Sequence, residues 1–311
     1  MSHKPPFTSD PSRRDDMSPE GWTRRQVLGL LAAGIGGGAL LPSLARAAKR
    51  SAHSTAHANA YPGARLDRIG LQLYTVRAAL TKDIEGTIAA VAKAGISEVE
   101  FFNPFGKDGA WWREVLTRHG LTAPAAHEGL PRTDDAWGPV FERAQAIGHK
   151  LVIVPSSSME YRGSRANWQR LAARLNTAGE KARAAGLEFG YHNHDYEFAA
   201  VDGTTGYDVL TSETDASLVK LELDLYWAVK AGQDPMALMN RFAGRVVAVH
   251  VKDAGPPPER VMLDVGKGTI DFKSLIATGR RQGLRHWFIE HDNPTDPIAS
   301  ITASAAALKA L

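Results

Sequence analysis

From residue 66 to the C-terminus the chain repeats one beat, a short β-rich run followed by a longer stretch of helical period. No other feature restricts its possible folds as strongly. The β-rich runs are IGLQLYTV (69–76), EVEFF (98–102), TAPAAHE (122–128), KLVIVPS (150–156), EFGYHNH (188–194), VKLELDLYW (219–227), VVAVHVKD (246–253) and HWFIEHD (286–292). Between them lie helical patterns such as residues 83–95, 167–186 and 234–244, each ending near a glycine that can cap a helix. Repeated strand–helix units require a parallel sheet, because a parallel neighbour is reached only by a crossover that covers one face. Eight such units over residues 66–311 predict a single-domain α/β fold, the (β/α)8 TIM barrel. An open doubly wound sheet is the alternative, but it gives no reason for polar residues to gather at the C-terminal end of nearly every run. No GxGxxG follows the first run and no GxxxxGK[ST] occurs, so a nucleotide-binding fold lacks its usual signals.

In a barrel of this kind the strand C-termini build the active site. Here those ends carry Gln72 and Tyr74, Glu100, His127 and Glu128, Ser156, the segment YHNHDYEF (191–198), Asp224 and Trp227, His250, Lys252 and Asp253, and Glu290, His291 and Asp292. Residues two apart on a strand share a face, so His192 and His194 are expected to look into one site. His192, Asp224, His250 and Glu290 come from four consecutive strands and can converge near the barrel axis. Their imidazole and carboxylate donors suit Mn2+, Zn2+, Fe2+ or Co2+. Lys252, two residues beyond His250, can contact an anionic oxygen, act as a base if burial lowers its pKa, or simply pair with a carboxylate. Glu197 is either a general base or an exposed loop carboxylate. His127 and Glu128 are placed to meet substrate hydroxyls, and Tyr74 and Trp227 to stack on a sugar face or pack in the core. The glycine amides of VGKGTIDF (265–272) are positioned to meet an anion.

The N-terminal region has a different character. Arg24 and Arg25 precede an apolar, glycine-rich run from Val27 to Leu41, and Ala45-Arg46-Ala47 supplies a small-x-small cleavage pattern. This is the form of a twin-arginine export signal over residues 1–47, which predicts an exported, periplasmic protein handed to the twin-arginine export machinery. The apolar run is shorter than the roughly 20 residues that span a bilayer. Residues 48–65 read as a flexible linker, in which His53 and His57 are solvated. Absence of cysteine agrees with export. The net charge of +3 owes much to basic residues clustered before residue 51, so it is no argument for a nucleic-acid partner.

Six segments in the expected order, GLQLYTVR (70–77), GYHNHDYEF (190–198), LELDLYWAVKAG (221–232), VHVKD (249–253), VGKGTIDF (265–272) and IEHD (289–292), resemble the sugar phosphate isomerase/epimerase family. The resemblance runs from about Leu66 to Leu311 and implies a xylose isomerase-like barrel with a divalent metal at the strand ends. It implies that Asp224, His250 and Glu290 are metal ligands. At strand five the epimerases carry a glutamate where this chain has Gly190-Tyr191-His192. That departure removes half of a paired-glutamate proton shuttle and leaves His192, or alternatively His194, as the substitute ligand. The chemistry implied is proton abstraction beside the carbonyl of a sugar or keto-sugar, with Lys252, His194 or Glu197 moving the proton. Return of the proton gives isomerisation or epimerisation, and loss of a β-leaving group gives elimination. A metal-dependent nuclease and a non-catalytic sugar-binding barrel are the rivals; the first lacks a basic groove, and the second needs no base.

Overall fold

The computed structural model describes residues 66–311; the export signal and linker expected over residues 1–65 lie outside the described residues. Eight parallel strands close into a barrel: β1 (Gly70–Gln72), β2 (Glu98–Phe101), β3 (Thr122–His127), β4 (Leu151–Val154), β5 (Glu188–His192), β6 (Val219–Asp224), β7 (Val246–Val251) and β8 (His286–Ile289). Each strand pairs with its neighbours in chain order, and β1 closes on β8 with Gly70 opposite Phe288 and Leu71 opposite Ile289. The expected single barrel is the fold observed.

Eight helices form the outer layer: α1 (Ile84–Lys93), α2 (Gly109–Arg118), α3 (Trp137–Ile147), α4 (Arg165–Ala184), α5 (Gly206–Glu213), α6 (Pro235–Arg241), α7 (Phe272–Arg281) and α8 (Pro297–Lys309). Their starts are written locally. Asp83, Asp108, Ser164, Thr205, Asp234, Asp271 and Asp296 each cap a helix by accepting a backbone N–H of its first turn. Of the adjacent tryptophans, Trp112 is buried against Phe101 and Trp111 is half-buried.

The barrel interior is filled by Ala125, Leu151, Ile153, Val247, Ala248 and Phe288. Phe288 is fully buried, which contributes about 1.5–3 kcal/mol. Gly70 makes room for it, because a Cβ there would lie 2.4 Å from the phenylalanine ring. Larger apolar clusters pack the helices on the outside of the sheet. The interior is therefore filled by apolar side chains below the strand C-termini, where the polar residues stand.

All eight strands end before their β-rich runs do, and three of these endings shape the site. β1 stops at Gln72, whose side chain accepts the Tyr74 N–H and starts a 3-10 turn, Leu73–Val76. β6 stops at Asp224, which caps the short helix Leu225–Lys230 by accepting from the Trp227 N–H at 2.8 Å. β5 stops at His192, so His194 belongs to the following loop and does not share a strand face with it.

Candidate active site at the barrel mouth

Seven strand-derived side chains form the floor. Gln72 (β1), Glu100 (β2), His127 (β3), His192 (β5), Glu222 and Asp224 (β6) and His250 (β7) are buried or nearly so, with Glu290 just past β8. The floor has two halves that share His250. In one half, three imidazoles converge on a single carboxylate oxygen. Glu222 Oε2 lies 2.7 Å from His127 Nε2, 3.1 Å from His192 Nδ1 and 3.2 Å from His250 Nε2. Glu100 Oε2 borders the same half, receiving Gln72 Nε2 at 2.7 Å and lying 2.8 Å from His250 Nε2. In the other half, Lys252 Nζ sits among three carboxylates, 2.9 Å from Asp224, 2.7 Å from Glu290 and 2.7 Å from Asp292.

The electrostatics follow from this crowding. Burial, reinforced by Glu222, pushes Glu100 up to about 7. Burial opposes ionisation of Glu222, but His250 and His127 outweigh it and hold Glu222 well below the usual carboxylate range. Burial likewise opposes the charge on Lys252, yet Asp224, Glu290 and Asp292 together raise its pKa well above the ordinary lysine value. A role for Lys252 as a base depended on burial lowering that pKa. The three carboxylates reverse the shift, so Lys252 stands here as a fixed ammonium.

Above the floor lies a cavity of about 600 Å3, lined by His127, His192, His194, Lys252, Glu290 and Asp292 below and by Tyr74, Phe102, Tyr196 and Arg162 around the rim. Tyr74 is exposed, packs edge-on against Phe102 and lies under the Arg77 guanidinium. Arg162 stacks on the Tyr196 ring and donates to the Ser157 carbonyl. His194 lines the cavity with a buried Nδ1 that has no partner among the described residues, and burial beside Lys252 lowers its pKa to about 3, so its ring is neutral.

Three expected residues and one expected loop sit differently. Glu197 is neither an exposed loop carboxylate nor a group lining the cavity. It is fully buried, accepting from the Tyr191 hydroxyl at 2.7 Å and from the His194 N–H at 2.8 Å, and burial raises it to about 7. Its observed contacts brace the loop that presents His194. Glu128 faces away from the cavity, bonded to Arg143 at 2.8 Å, because the alternation that turns His127 inward turns its neighbour outward. Trp227 does not line the cavity; it lies behind His194 and Lys252, its buried indole N–H unpartnered among the described residues. The glycine amides of 265–272 do meet an anion, but an internal one: Asp253 accepts from Gly266, Gly268 and Ile270.

Sequence reading missed Glu222. The signal was available, since Glu222 and Asp224 are two apart in LELD and so share the inward face of β6. The floor fits a divalent cation. One atom from each of His127, His192, Glu222 and His250 lies within 4.8 Å of the others, and the same holds for Asp224, His250 and Glu290. Among the described residues Glu100 Oε1 and Glu222 Oε1 are buried without hydrogen-bond partners, an arrangement that costs about 1–3 kcal/mol per group unless a cation compensates.

With this geometry established, comparison with known proteins is informative. The inosose dehydratase of Lacticaseibacillus casei is 26% identical over 241 residues, covering 66% of this chain and 80% of that enzyme. The crystal structure of a sugar phosphate isomerase/epimerase from Parabacteroides distasonis superposes with a TM-score of 0.70 at 23% identity, over 78% of this chain and 93% of the other. The IOLI protein, solved with a zinc atom, superposes with a TM-score of 0.61 at 13% identity, over 78% and 98% of the two chains. At these identities the two structures establish a shared fold. A profile of the xylose isomerase-like TIM barrel matches residues 88–311, most of the chain, and together with the closed eight-stranded barrel it shows that the protein belongs to that family.

Proposed function

We propose that the protein is a metal-dependent enzyme acting on a sugar or keto-sugar, and that its chemistry begins with removal of a proton from the carbon beside a carbonyl. The observation that carries this reading is the cavity floor, where an ammonium, two further carboxylates and a metal-competent cluster meet under one opening. The aromatic rim of Tyr74, Phe102 and Tyr196 suits the apolar face of a sugar ring, and the polar floor suits its hydroxyls. A divalent ion held by the floor histidines and carboxylates would supply Lewis-acid polarisation of the carbonyl. The remaining roles fall to the chain itself. Lys252, a fixed ammonium, stabilises the oxyanion that develops as the proton leaves. Glu290 and Asp292, both lining the cavity beside it, are placed to accept the proton from carbon. His194, neutral throughout the working pH range, serves as a hydrogen-bond partner for a substrate hydroxyl.

Isomerisation, epimerisation and elimination all share that first step. Epimerisation needs acid–base groups on both faces of the substrate, whereas the cavity carboxylates Glu290 and Asp292 follow a single strand, β8, and Glu197 is occupied in bracing its loop. This one-sidedness favours elimination over epimerisation, in keeping with the dehydratase activity of the sequence relatives. The test is incubation of the metal-loaded enzyme with keto-sugars and keto-cyclitols in deuterium oxide, read by NMR and ultraviolet absorption. Deuterium beside the carbonyl supports the proposed step, and a conjugated enone identifies elimination. Unchanged substrate across the panel, from protein shown to bind it, would instead indicate a sugar-binding barrel. The proposal includes export through residues 1–47. Replacing Arg24 and Arg25 with lysine is expected to leave the protein in the cytoplasm, as fractionation would reveal.

A further inference from the structure

We infer that the metal is held by the nitrogen-rich half of the floor, by His127, His192, His250 and Glu222, while Lys252 serves as the resident cation of the carboxylate half. This rests on the metal-dependent reading above and assigns the ion a place different from the Asp224–His250–Glu290 set that family resemblance implies.

The two halves differ in what they lack. Asp224, Glu290 and Asp292 already surround an ammonium at 2.9, 2.7 and 2.7 Å, so a divalent ion entering there must displace a buried cation that has three counter-charges. Among the described residues the other half has no lysine or arginine paired with its carboxylates. It holds three imidazole nitrogens at 2.7, 3.1 and 3.2 Å from one oxygen, Glu222 Oε2. His127 and His192 hydrogen-bond this oxygen and the His250 Nε2 crowding it is shared with Glu100 Oε2 at 2.8 Å, while Glu222 Oε1, also buried, has no partner among the described residues. A cation between the three rings and the carboxylate would relieve both faults, because neutral imidazoles would then present lone pairs to it instead of protons to the oxygen. The four side chains come from β3, β5, β6 and β7, so the closed barrel fixes their convergence. Three nitrogens and one oxygen form a donor set suited to Zn2+, Cu2+, Co2+ or Fe2+ rather than Mg2+ or Ca2+.

The experiment counts ligands in the wild-type protein. Stripped of metal and loaded with one equivalent of Cu2+, it is examined by electron spin-echo envelope modulation, which reports coordinated imidazoles. Three are expected. In parallel, Zn2+ affinity is measured by calorimetry on variants whose folding is checked by circular dichroism. Glu222→Gln is expected to weaken binding at least about tenfold, whereas Asp224→Asn and Glu290→Gln stay within about threefold of wild type. One or two imidazoles, with affinity lost in Asp224→Asn and Glu290→Gln, would overturn the assignment and leave metal-dependent catalysis standing. Failure of the wild type to bind either ion would overturn both. The spin-echo count needs no variant, so misfolding of Glu222→Gln leaves the inference open to refutation.

Discussion

The two ends of the barrel use the same side-chain types to opposite effect. At the N-terminal end most charges close on partners of their own, Glu98 Oε2 at the start of β2 being buried without one among the described residues. Arg285, just before β8, makes a two-pronged contact with Glu188 at the start of β5, at 2.6 and 2.7 Å. Arg245, buried before β7, donates to the carbonyls of Val219 at 3.0 Å and Thr211 at 2.6 Å and to the Thr214 hydroxyl. His149, before β4, is buried with its Nδ1 2.8 Å from the Ala123 carbonyl. At the C-terminal end, charges share partners and some carboxylate oxygens have none. Closed pairs hold strands in place, and unclosed ones hold free energy available to a ligand. The two rims of one sheet thus differ in how fully their charges are paired.

That contrast is open to attack at several points. The largest effect is expected from Lys252→Met, which should lower kcat/KM by about 10²–10⁴-fold on any substrate that exchanges deuterium, because the developing negative charge loses its ammonium. Near-normal turnover would mean that the mouth is no more specialised than the base. Next comes Arg245→Met, which strands buried carbonyls and should cost about 3 kcal/mol in denaturant unfolding, with turnover per folded molecule unchanged. A loss of activity without a loss of stability would reverse the division of labour.

Smaller effects separate the ends by pH. Burial holds Glu197 protonated up to about 7, above its unfolded value, so its contribution to stability is present in acid and is lost as pH rises through neutrality. The destabilisation caused by Glu197→Gln should therefore shrink between about pH 5 and about pH 8. Burial of His149 lowers it to about 4, below its unfolded value, so its contribution is present above the unfolded pKa and is lost as pH falls toward 4. Denaturation curves of His149→Gln and wild type should accordingly converge in acid. Parallel pH profiles for the two positions would remove the contrast. The smallest change is expected from Arg285→Ala, about 0–1 kcal/mol with full activity, since both partners are half-exposed and solvent screens the pair.

The fold was legible because eight strand–helix beats leave few topologies, and barrel closure follows from their number. Residues contributed by single strands, such as His127, His192 and His250, were found where alternation put them. Harder to read were the places where strands stop. Gln72 and Asp224 turn the chain with their side chains, and neither event alters the hydrophobic pattern, so LYTV and LYW read as strand although they are helical. Glu222 was overlooked because it sits within an apolar run, and a buried charge inside a strand looks like an interruption until the barrel closes around it. The Lys252 cage joins residues 28 and 38 to 40 positions apart, which no local period reports.

The loop from Val265 to Phe272 has one remaining consequence. Its amides point at Asp253, which also receives the Ala254 N–H, so a backbone nest of the type that elsewhere grips phosphate is already filled by a carboxylate from the chain itself. Gly268 has no room for a side chain, since a Cβ would lie 2.3 Å from Asp253, and the plug is therefore built into the loop. A phosphorylated sugar approaching this side of the mouth meets an occupied berth. For the function proposed above, the expected substrate is one whose polarity on this side of the mouth is carried by hydroxyl and carbonyl groups.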